Sequence, residues 1–175
     1  MSKKFAEHKG LNLSQVSKDV LAQWRSEDLF RQSLENRKGH PTFVFFEGPP
    51  SANGHPGIHH VLARSIKDTV LRYKTMQGYS VPRKAGWDTH GLPVELSVEK
   101  ELGITKENIG KTISVEDYNA HCRADVMKYT EEWRELSERM GYWVDLDHPY
   151  ITYKNSYIES LWWLLQQLYN KGLLY

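Results

Sequence analysis

The chain has 175 residues, is 39% hydrophobic and 26% charged, and carries a formal net charge of +1. That is enough for one domain with a core plus a short extension, in the range of a soluble globular protein, and it leaves no global basic field pointing to nucleic acid, although a local basic face remains open. The single cysteine, Cys122, excludes an internal disulfide and a cysteine-built zinc knuckle in this segment; no apolar run of about 18 residues is long enough to span a membrane, and MSKKFAEHKG lacks a signal core. The expected location is therefore the cytoplasm.

Residues 13–36 are expected to be helical. Val16, Val20 and Trp24 recur every four residues, and Ser26-Glu27-Asp28 offers a fresh N-cap before Leu29, Phe30 and Leu34. Arg37-Lys38-Gly39-His40-Pro41 ends that helix, which sets residues 1–40 apart as an N-terminal helical extension. TFVFFE at 42–47 is β-branched and aromatic, as a buried strand is. GPPSANGHPG is then a loop, because its prolines and turn formers cannot continue a strand.

From Ile58 the period changes to that of a helix. Ile58, Leu62, Ile66, Val70 and Tyr73 share the apolar face, Arg64, Lys67, Asp68 and Lys74 lie elsewhere, and Gly78 is the stop. YSVPRKAGWDTHGLP reads as a second strand entering a loop, with Pro82 arguing for an edge position. Residues 97–113 read as irregular with short helical turns. Ser114 and Asp117 then form a capping box for one long helix at 115–140, with Tyr118, Cys122, Val126, Tyr129, Trp133, Leu136 and Met140 on its apolar face and Gly141 after its end. YWVDLDHPYITY is an extended connection in which Asp145 and Asp147 are structural, and Tyr157 to Lys171 form the last helix, closed by Gly172. The apolar ending LWWLLQQLYNKGLLY suggests a segment of something longer. Strand, glycine-bearing loop, helix, strand is the start of a βαβ unit, so the expected fold class is α/β with a parallel sheet.

In such a unit the loop after the first strand opens onto the carboxyl edge of the sheet, and the following helix start brings unpaired N–H groups and a positive dipole end. A phosphate is the natural guest there. Neither G-x-G-x-x-G nor G-x-x-x-x-G-K-[ST] is present, so ordinary dinucleotide and P-loop readings fail. Three readings of His55, His59 and His60 stay open on these residues alone: a solvated helix start, a metal site using His55 and His59, and nucleotide contact.

The blocks EGPPSANGHPGIHHVLARSIKD, YKTMQGYSVPRKAGWDTHGLPVELSVEKELG and MGYWVDLDHPYITYKNSYIESLWWLLQQLYNKGLLY together resemble the amino-terminal part of class I isoleucyl-tRNA synthetases, from about residue 13 to the end. The resemblance implies that residues 41–175 are the first half of a Rossmann-like catalytic domain, truncated before an editing insertion. Of the family's HIGH signature, Pro50, Gly54 and His60 match; Gly57 stands where histidine is usual and His59 where glycine is usual, an exchange that some members carry. The resemblance makes Pro50, Gly54, Gly57, His59 and His60 the ATP-binding residues. Residues 57 and 59 differ by roughly 200° around a helix at about 100° per residue, so His59 is expected to turn away from the adenine plane while His60 and the helix-start amides meet the phosphates.

Asp88, in Gly86-Trp87-Asp88-Thr89-His90-Gly91, inherits the role of holding the amino-acid ammonium, with Trp87 and His90 shaping the pocket and Gly48 and Pro49 lining it through their backbone. The implied reaction is activation of L-isoleucine by Mg2+-bound ATP, followed by transfer to tRNA(Ile). The family's KMSKS loop has no match here, so the segment alone is expected to be inactive. No metal site is expected in this segment; Zn2+ would belong to the remaining C-terminal part, and a monomer is the expected state. Valyl or leucyl specificity on the same fold is the nearest alternative, and a metal-dependent hydrolase built on His59, His60, His90 and Asp88 is one of a different class.

Overall fold

The computed structural model describes residues 10–175. In chain order it contains α1 (Leu13–Ser26), α2 (Leu29–Glu35), β1 (Phe45–Phe46), α3 (Ile58–Met76), β2 (Arg83–Trp87), α4 (Leu92–Leu102), a 3-10 turn (Lys106–Asn108), α5 (Val115–Asp125), α6 (Thr130–Arg139), β3 (Asp145–Ile151) and α7 (Asn155–Asn170). The three strands form one parallel sheet in the order β1-β2-β3. This is the α/β architecture expected from the alternation of elements.

Both long helices expected from the sequence are broken. Asn12 caps α1 through its side chain, but the chain leaves the helix at Asp28, which sits in the left-handed region at φ 49° before α2 begins. The 115–140 helix, capped by Ser114 on the Asp117 amide, is interrupted at residues 126–129. There the Tyr129 amide leaves the helical ladder and donates to Ala52 O at 2.9 Å. Apolar residues at helical spacing run across the break, so the pattern alone does not mark it. The irregular reading of 97–113 also yields in part, since residues up to Leu102 belong to α4.

The sheet departs from expectation in two ways. Phe43, Phe45 and Glu47 donate in turn to Ser80 O, Pro82 O and Lys84 O, so the expected 42–47 strand is present as a pairing pattern, although only Phe45–Phe46 are regular. Second, β2 is central, not at an edge. Pro82 is tolerated because it precedes the strand and serves the sheet through its carbonyl. The YWVDLDHPYITY segment supplies a real third strand, with a shift in register between Lys84↔Asp145 and Gly86↔Tyr150. Asp145 stabilises that irregularity by accepting from the amides of Asp147 and His148.

The core includes two small clusters: Ala52, Trp87 and Trp133, and Ala85, Tyr142 and Val144. α1 and α2 dock on the same side as the second, with Trp24 edge-on to Trp143 at 5.1 Å. The α3 apolar stripe, by contrast, faces outward: Ile58, Leu62, Ile66, Val70 and Tyr73 are all exposed. The opposite face carries the buried Arg64 and Leu71. The helical period was legible, but periodicity cannot say which face meets this domain's core.

That buried face is stabilised by polar contacts. Arg64 donates to Ser137 Oγ at 2.9 Å and lies 4.7 Å over the Trp133 ring. Lys67 pairs with the buried carboxylate of Glu47, which also accepts from the Tyr142 hydroxyl. Arg83 on β2 reaches Asp68 on α3; burial pulls its guanidinium down to about 10, against the opposing pull of the Asp68 charge, which still leaves it cationic at neutral pH.

Candidate functional site

The loop between β1 and α3 is gripped along its length. At its start, Glu47 is buried and its carbonyl accepts from the Tyr150 hydroxyl. Gly48 lies beside the Lys67 ammonium, Pro49 and Pro50 are half-buried, and the Pro50 carbonyl accepts from the Asp88 amide at 3.0 Å. Farther on, Ala52 O accepts from Tyr129, Gly54 O accepts from the Trp133 indole at 2.9 Å, and His55 Nδ1 lies 2.7 Å from Glu132. Prolines restrict the backbone and α6 supplies its partners, so the loop is fixed without secondary structure of its own.

Gly57 caps α3 in extended conformation, and its amide donates to His60 Nδ1 at 2.9 Å. That contact makes Nδ1 the acceptor and leaves Nε2–H as the free donor of a neutral imidazole. Burial, first of all, and then the neighbouring His59 and Arg64 charges lower the His60 pKa from its ordinary value. His60 is held by neighbours on both sides, its ring 3.7 Å from that of His59 and edge-on to Trp133 at 4.5 Å. His59 is exposed and folds back over Gly57, where an added Cβ would meet its ring at 3.0 Å. The exchanged pair is therefore sterically linked: the small residue at 57 makes room for the imidazole at 59. At this helix start the first amides have no intrahelical acceptor, and no acidic side chain stands in the first turn.

The second constellation lies at the end of β2. Asp88 Oδ1 accepts from the His90 amide at 3.3 Å, the arrangement of a local turn, while the Pro50 contact ties the same residue to the first loop. Thr89 N and His90 Nδ1 both reach Thr152 Oγ1, at 3.0 and 3.1 Å, so the end of β3 orients His90. His90 also borders a cavity of about 220 Å³ toward α4 and α5. Trp87 does not line the crevice: its ring is 5% exposed and packs under Ala52 against Trp133. His59 and His60 stay with α3 while His90 belongs to Thr152, and among the described residues no group of three His, Cys, Asp or Glu side chains is arranged to hold a metal ion.

Sequence reasoning named Gly48, Pro49, Pro50, Gly54, Gly57, His59 and His60, which lie on one loop and helix start, and Asp88, which the Pro50 carbonyl ties to that loop, whereas His90 turns to Thr152 and the cavity toward α4 and α5. It missed Glu47, Tyr129, Trp133, Tyr142, Tyr150 and Thr152, which hold these residues from other elements. No local motif marks them. The buried Glu47 at the end of an apolar strand was the one available signal, since such a carboxylate needs partners.

A parallel sheet whose first strand leads through a loop into a helix start, with a carboxylate at the end of its second strand, is the arrangement at which α/β folds receive their ligands. The family described as tRNA synthetases class I (I, L, M and V) matches residues 19–175, and the chain belongs to it. Over all 175 residues it is 71% identical to an isoleucine–tRNA ligase of Bacteroides fragilis and 69% identical to one of Porphyromonas gingivalis, covering 15% of each. An isoleucine–tRNA ligase of Dehalococcoides mccartyi is 54% identical over 164 residues, 94% of the chain and 16% of that relative. The chain thus spans about 15% of the length of these curated relatives. Among solved structures, a LeuRS–tRNA–LeuAMS ternary complex from Agrobacterium radiobacter K84 is similar in fold, with a TM-score of 0.58 and 22% identity over 91% of this chain and 18% of that one.

Proposed function

We infer that residues 41–175 are the first half of the catalytic domain of an isoleucine–tRNA ligase, preceded by a helical extension of which residues 10–40 are described and residues 1–9 lie outside the described residues. The observation that supports this reading is the Asp88 N–H···Pro50 O bond, which ties the Asp88 backbone to the loop entering α3. Asp88 holds the substrate ammonium, with the Gly48-Pro49-Pro50 backbone alongside. Gly54 admits the nucleotide beside the Gly57–His59 pair, in which Gly57 makes room for an imidazole turned away from the adenine plane, and the His60 Nε2–H with the α3 amides donates to the phosphates of Mg2+-bound ATP. Trp87 supports the crevice from beneath, and His90 shapes its amino-acid side.

An isoleucine carboxylate oxygen attacks the α-phosphorus; the new P–O bond forms as the α–β bridging bond breaks, and pyrophosphate leaves with the electron pair. The donors act by alignment and charge stabilisation and need no covalent intermediate on the protein. The adenylate then acylates tRNA(Ile). The relatives' remaining length would supply editing of valine, any Zn2+ and the tRNA contacts, and the enzyme would act as a cytoplasmic monomer.

The test replaces the matching 175 residues of the Bacteroides fragilis ligase with this chain and measures ATP–pyrophosphate exchange with isoleucine, valine and leucine. Isoleucine should give the highest kcat/KM, and the 175-residue chain alone should give no exchange. A preference for valine or leucine would overturn the specificity assigned.

A further inference from the structure

We propose that Trp133, at the start of α6, is a positioning residue for the ATP half of this site. The inference rests on the ligase reading above but adds a device outside both motif blocks. Trp133 is 2% exposed and touches three parts of the nucleotide corner. Its indole N–H donates to Gly54 O at 2.9 Å, fixing the backbone that turns into α3. Its ring meets His60 edge-on at 4.5 Å, on the imidazole whose Nδ1 is held by Gly57 N–H. Its face carries the Arg64 guanidinium at 4.7 Å, one turn farther along α3.

The neighbouring residues extend the grip. The Tyr129 amide holds Ala52 O, the Tyr129 ring lies 4.1 Å from that of His55, and Glu132 reaches His55 Nδ1. The break between α5 and α6 has a purpose on this view. It frees the Tyr129 amide and turns α6 so that one helix start clamps residues 52–55. The amino-acid half is held by other means: Glu47 and Tyr150 at the loop entrance, and Thr152 at His90. The two halves are therefore separable by mutation.

Trp133→Phe keeps an aromatic edge toward His60 and removes the N–H. In the chimeric ligase carrying this chain, ATP KM should rise about tenfold, equivalent to ~1.4 kcal/mol, while isoleucine KM changes less than about twofold. Val98→Ala on α4 is the control: Val98 is 2% exposed, so this change should lower thermal stability with ATP KM unchanged. Should Trp133→Phe fail to fold, Glu132→Ala on the exposed rim carries the question with an expected rise of about twofold in ATP KM. Equal shifts in both KM values, or an unchanged ATP KM in the folded variant, would overturn the positioning role. Because the unmutated chimera is assayed first, its failure to activate isoleucine would strike the ligase reading instead.

Discussion

Glu47→Gln isolates the contact that joins the sheet to α3. The carboxylate is 3% exposed and accepts from Lys67 on one oxygen and Tyr142 on the other. Removing one partner of a fully buried pair costs about 3–5 kcal/mol. The Lys67 side chain is a third exposed and recovers water, so the expected loss falls to about 2 kcal/mol. Tyr142→Phe leaves one Glu47 oxygen buried without its donor, at a cost of about 1–3 kcal/mol. In the Glu47→Gln background the same hydroxyl gives up only a neutral bond, so the two changes should couple by about 1 kcal/mol. Urea unfolding of the 175-residue chain, followed by tryptophan fluorescence, reads all three variants as midpoint shifts at constant slope. A Glu47→Gln loss below about 0.5 kcal/mol, or strict additivity, would mean that the carboxylate is solvated and the interlock does not stabilise the fold.

Gly86→Ala should cost about 2–3 kcal/mol, because the added methyl overlaps the Tyr150 ring, which is pinned by Glu47 O and stacked on Tyr157. In a Tyr150→Ala background the same change should cost under about 0.5 kcal/mol by thermal melting, and an equal cost in both backgrounds would discard the steric explanation. For His60, folding lowers the pKa, so the unfolded chain binds more protons and stability rises with pH. Its contribution is complete above the ordinary value of 6.5 and is lost as pH falls through the lower folded value. His60→Asn should therefore melt with a shallower pH dependence than the parent between about pH 5 and 7, and parallel curves would refute the shift.

The legible parts of this molecule were those written in short spans. The β1-loop-α3 unit, the Ser114 cap, and the nearness of the Pro50 and Asp88 loops all follow from local turn chemistry and one topological rule. The α3 stripe shows where such reading stops. Its period was correct but carried no direction, which is set by Arg64 and Lys67 reaching partners at Ser137 and Glu47 that lie far away in sequence. The α5–α6 break was invisible for a related reason: the helical face continues through it, and only the Ala52 carbonyl shows why the ladder opens. In the site, the residues that would meet substrate sit in motifs, whereas Trp133 and Thr152 act on them across elements.

The all-parallel sheet has a kinetic consequence. Phe45 must find Arg83 and Lys84 must find Asp145, so neither pairing can be made by a tight hairpin. Each encounter closes a long segment of chain before any ladder bond rewards it, which places the sheet among slow, non-local folding events. The helices can form locally and early, and the loop at Pro50 can set only when β2 has delivered Asp88 beside it. The corner where the β1–α3 loop meets Asp88 is then among the last parts of the chain to take shape, and a growing polypeptide acquires it well after its helices.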